Sequence, residues 1–170
     1  AWTYLRPRHQ LRAASGKQPL SMDRRAWYYG LALALALHNL EEAVMASRMV
    51  GMMQSRAPVF LRALYSGINV GELRINLLVL TGVGLSLAVL AARAPLTTGW
   101  SYVMLVFGAV IGLNALAHIG LSIWFRTYMP GLGTGTLITL PLVVALLRKA
   151  WHERWVSQLA FWSTAAAAIL

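Results

Sequence analysis

The stretch that most constrains this chain is an apolar run, Leu31-Ala32-Leu33-Ala34-Leu35-Ala36-Leu37, that leads straight into His38-Asn39-Leu40-Glu41-Glu42. A sequence so apolar belongs in lipid. Yet one charge near a bilayer centre costs about 2.5–3.5 kcal/mol on insertion scales. Two adjacent carboxylates and an imidazole therefore need partners there: a metal ion, a cation, or polar groups on neighbouring helices. Only five acids occur in 170 residues, at Asp23, Glu41, Glu42, Glu72 and Glu153, so this pairing dominates the chemistry available.

Composition decides the solvent. Hydrophobic residues make up 58% of the chain and charged residues 12%, against about 45–50% and about 25% in soluble domains. The expected fold is an all-α integral membrane bundle of four or five transmembrane helices. A basic N-terminal arm over residues 1–25 precedes the bundle over 26–170. The net charge of +10 does not indicate nucleic acid, because the basic residues flank the apolar segments as topology signals do. With no cysteine, disulfides and thiolate ligands are excluded.

Helices are expected at about 27–47, 67–92, 100–126, 134–150 and, short for a full crossing, 155–170. Residues 48–66, with Arg48, Arg56, Arg62 and Pro58, read as a loop or interfacial helix. The cluster Met45, Met49, Met52 and Met53 reads as apolar filling. Gly131, Gly133 and Gly135, following Pro130, read as a compact re-entry turn. If the N-terminus is cytoplasmic, ten Lys and Arg lie inside and four outside. The positive-inside rule favours that orientation, with the chain multi-pass in the plasma membrane.

Depth then groups the polar residues. At the standard helical rise, His38 lies about 16 Å and Glu42 about 22 Å from the inner edge. Asn114 and His118 lie at about 21 and about 27 Å, and Glu72 and Asn76 about 8 and about 14 Å below the outer edge. Three helices thus offer polar side chains at similar depth. The expected site is a metal centre of His38, Glu41, Glu42, Glu72 and His118, with Asn114, Tyr128 and Asn76 orienting the ligands by hydrogen bonds. Nitrogen and oxygen donors suit Fe, Mn or Zn. Glu41 or Glu42 is also a candidate catalytic base. Without a metal, the same residues read as a buried hydrogen-bond or proton-handling network.

The chain resembles the HXXEE-domain family of small multi-pass prokaryotic membrane proteins. His38, Glu41 and Glu42 match the name-giving motif, and Asn114, His118, Tyr128, Pro130 and Gly131 match a second block. The resemblance covers most of residues 27–150 and implies a helical membrane protein, with no reaction attached.

Two functions follow. One is a metal-dependent enzyme acting on a lipid-like substrate. The other is a non-catalytic accessory subunit of a larger photosynthetic or respiratory membrane complex. Expected partners are the bilayer, other membrane subunits, and anionic lipids held by the basic arm.

Overall fold

The computed structural model describes residues 24–95 and 98–169. Most of the N-terminal arm expected over 1–25 lies outside them. The described chain is helical: α1 (Arg24–Val44), α2 (Ala46–Arg56), α3 (Val59–Tyr65), α4 (Val70–Arg93), α5 (Thr98–Phe125), α6 (Leu132–Thr134), α7 (Leu140–His152) and α8 (Gln158–Ile169). A π-helical turn, Gly135–Thr139, joins α6 to α7. The three pieces run as one helix of 21 residues, Leu132–His152.

Three helices are long and apolar enough to cross a membrane: Val70–Arg93, Gly99–Phe125 and Leu132–His152. α1 is also 21 residues long, and its polar motif sets it apart from these three. α8, at 12 residues, covers about 18 Å and is too short for a core of about 30 Å. The segment read as a loop or interfacial helix forms α2 and α3, broken at Pro58, whose ring cannot continue a helix from the residue before it.

Two apolar clusters hold the helices together. At the end carrying Arg24, Tyr28, Leu31, Met104, Leu105, Leu146 and Trp155 pack between α1, α5 and α7. At the other end, Met49, Met52, Met53, Leu73, Leu77 and Met129 fill the space among α2, α4 and the turn after α5. The methionines are filling, as their flexibility suits. Small residues let the helices approach: a Cβ at Gly84 would stand 2.7 Å from Leu35 Cδ2 and 2.9 Å from Phe107 Cζ. The outward faces carry large apolar side chains such as Leu78, Val79 and Leu80, as lipid contact requires.

Asn39 ties α1 to α4. Its Nδ2 donates to Leu77 O at 3.1 Å and to Thr81 Oγ1 at 2.8 Å, satisfying a polar side chain that is buried among apolar ones.

Candidate metal centre

α1 presents His38 and Glu42 one turn apart, so they share a face. Glu42 Oε1 lies 3.2 Å from His38 Nε2 and 2.6 Å from His118 Nε2 on α5. The two imidazoles meet edge to face, their centroids 4.9 Å apart. All three side chains are buried: Glu42 is 4% exposed, His38 2% and His118 3%. One donor atom from each lies within 4.8 Å of the others, so the group can hold a metal ion.

Glu41, the neighbour of Glu42, goes elsewhere. Its carboxylate is gripped by the turn between α5 and α7. Oε1 accepts from the Tyr128 hydroxyl, from Gly131 N at 2.9 Å and from Gly133 N at 3.3 Å. Oε2 accepts from Thr134 N at 2.8 Å and Thr134 Oγ1 at 2.7 Å. These are the free backbone donors at the start of Leu132–His152, so Glu41 of one helix caps another. The accepting carboxylate pushes the Tyr128 hydroxyl above the usual phenol range.

These bonds fix the tautomer of His38. An ionised carboxylate only accepts, so the Thr134 hydroxyl must donate to Glu41. Thr134 Oγ1 can then only accept from His38 Nδ1, 3.2 Å away. With its proton on Nδ1, neutral His38 turns the lone pair of Nε2 toward Glu42 Oε1, which also carries only lone pairs. Asn114 Nδ2, 2.9 Å from His38 Nε2, donates to that lone pair. An Nε2 proton on His118 can donate to Glu42 at 2.6 Å. A cation at His38 Nε2 would take the place of the Asn114 bond. His118 Nδ1 is buried with no partner among the described residues.

Gly131 closes the cluster. It has φ +89, and a Cβ there would stand 2.9 Å from Glu42 Oε1, His118 Cε1 and His38 Cε1 alike. The re-entry turn read from the three glycines is therefore a lid seated on the imidazoles.

Glu72 does not join the group. It is exposed at the start of α4, where its carboxylate accepts from Asn69 N at 3.0 Å and its own N–H donates to Asn69 Oδ1 at 2.9 Å. The Asn-x-x-Glu spacing is a capping box, a local signal that the depth argument passed over. Asn76 is likewise exposed. Tyr128 and Asn114 do reach the site, on Glu41 and His38 respectively. Thr134 and Asn39 were not singled out from the sequence. Thr134 has no local signature, since its partners lie 96 and 93 residues away.

A helical bundle with membrane-length helices and a buried His–Glu–His group defines the class. Within it, the chain belongs to the family described as "Protein of unknown function with HXXEE motif", which it matches over residues 29–146. The motif is His38, Glu41 and Glu42. No curated protein and no solved structure matches the chain.

Proposed function

We propose that His38, Glu42 and His118 bind one divalent transition-metal ion, and that the protein is a metal-dependent membrane enzyme. The observation that carries this is the Glu41–Thr134–His38 relay, which turns the Nε2 lone pair inward beside a buried carboxylate. Metal-ligating histidines are oriented in this way, by an acceptor on the other ring nitrogen. Two imidazoles and one carboxylate suit Fe(II), Mn(II) or Zn(II) and leave coordination positions free for water or substrate. Bound there, the ion would supply Lewis acidity or activate water for hydrolysis or oxidation. Glu41, with its lone pairs committed to five donors, serves as a positioning group rather than a base.

A lipid-like substrate fits the surroundings. A shallow, mostly apolar surface depression lined by Ile119, Ser122, Ile123, Thr127, Tyr128 and Leu132 shares Tyr128 with the Glu41 contact. In this proposal the protein lies in the plasma membrane with its N-terminus inside, the orientation that the distribution of Lys and Arg favours. The rival is an accessory subunit of a larger complex, favoured by α8: this short helix exposes Leu159 and Trp162 at 83% and 67%.

Elemental analysis of gently solubilised protein tests the proposal. About one Fe, Mn or Zn per chain is expected in the wild type, and none in His38→Ala, Glu42→Ala and His118→Ala. A wild type free of metal that purifies with partner subunits would overturn the enzyme reading.

A further inference from the structure

At the end of the molecule opposite the His–Glu–His group, α7 turns into α8 around a cavity of about 630 Å³. Four polar side chains line it: His152, Arg154, Ser157 and Gln158. Trp151 and Phe161 form an apolar wall. The wall belongs to an aromatic cluster, with Trp151–Phe161 centroids at 5.0 Å and Trp162 at 5.7 Å from both rings. Clustered tryptophans at the end of a membrane-length helix mark headgroup depth.

Arg154 is one of two non-glycine residues with positive φ among the described residues; the other, Arg126, ends α5 in the same kind of turn, and Arg154 alone of the two lines this cavity. It follows the end of α7 with φ +51, where its N–H donates to Trp151 O and the next N–H, of Trp155, donates to Ala150 O. That is a glycine position in a helix-ending turn, and an L side chain there is strained. No hydrogen bond or ion pair among the described residues engages its guanidinium. The acid beside it, Glu153, is already engaged, accepting from Lys149 Nζ at 2.5 Å and from Trp155 Nε1 at 2.8 Å. A cation is thus held in a costly backbone conformation, at the mouth of a cavity with one polar and one aromatic side.

We propose that this cavity binds an anionic phospholipid. Arg154 and His152 take the phosphate, Ser157 and Gln158 the headgroup hydroxyls, and the first acyl carbons lie on Trp151 and Phe161. Basic recesses between membrane helices recognise anionic headgroups by this chemistry, and guanidinium pairs with phosphate through two parallel hydrogen bonds. The site is independent of the metal proposal and stands or falls without it.

The test is native mass spectrometry of the full chain in mild detergent with phosphatidylglycerol or phosphatidylcholine of matched chains. The wild type should retain phosphatidylglycerol about five- to tenfold better, the discrimination one arginine near the surface supplies. Arg154→Gln and Arg154→Gly should lose that preference. Arg154→Gly should also melt no lower than wild type, because glycine relieves the strained φ. Arg148→Gln, at the same end but outside the cavity, should keep the preference. Equal losses in Arg148→Gln and Arg154→Gln would overturn the site in favour of diffuse attraction, as would a preference that survives both Arg154 variants. Displacement of the lipid by millimolar inorganic phosphate would overturn the lipid assignment and leave a site for a phosphate ion.

Discussion

Glu41 and Glu42 are neighbours in the chain and part company in the fold. Glu41 faces the turn 128–134 and is saturated by neutral donors from one short segment. Among the described residues, Glu42 faces inward and meets two imidazoles, His38 and His118. The first arrangement holds a helix end in place and leaves no lone pair to spare. The second leaves a charge whose balance depends on what arrives. Sequence adjacency therefore says little about shared chemistry: positions i and i+1 on a helix point about 100° apart, enough to give one acid a structural post and its neighbour a chemical one.

Mutagenesis can break that contrast. The largest effect is expected for Gly131→Ala, which combines a left-handed φ with three contacts at 2.9 Å. Stability and metal should both be lost, with thermal unfolding in detergent as the check. Glu41→Ala strips the acceptor from several helix-start donors and should cost about 2–4 kcal/mol in chemical denaturation. Metal affinity should fall in the folded fraction about as far as in Thr134→Val, because the relay to His38 loses its final acceptor; complete loss of metal with the fold intact would make Glu41 a ligand and break the contrast. Glu42→Gln should reverse the pattern, with metal content near zero and a melting temperature close to wild type. Thr134→Val sharpens the comparison because it cuts only the link between the two acids. Metal affinity should fall about 10–100-fold by competitive chelation, as for other outer partners of a ligating histidine.

The smallest effect lies at the far end. The Lys149 ammonium holds the Glu153 carboxyl below its usual range. Because the folded pKa is the lower one, this stabilisation is present above the ordinary carboxylate range and fades as pH falls through the folded value. The pair is solvent-exposed, so Glu153→Gln should cost no more than about 0.5 kcal/mol at pH 7 and nothing measurable in acid.

Much of this was legible in the sequence. The apolar runs announced the helices. The four-residue spacing of His38 and Glu42, together with the similar depth of His118, pointed to three side chains that the fold brings together in one buried group. What escaped reading had two causes. Glu72 was misplaced because a capping box and an intramembrane polar face share the same three-residue spacing, and only the position of the helix start tells them apart. Glu41's role was hidden because its donors are mostly backbone N–H groups, which carry no residue identity, from a segment about ninety positions away. The same holds for Thr134, one of many hydroxyls until the fold sets it between Glu41 and His38.

The distance between Glu41 and the turn that holds it also has a meaning in time. A ribosome making about 5–20 residues per second needs roughly 5 to 18 seconds to go from Glu41 to Gly131. During that interval α1 exists with both carboxylates and no lid. What it can already find is α4, through Asn39 and the Leu77–Thr81 turn. The contacts between α1 and α4 can therefore form before His118, Tyr128 and Gly131, the groups that meet Glu42 and Glu41, have been made.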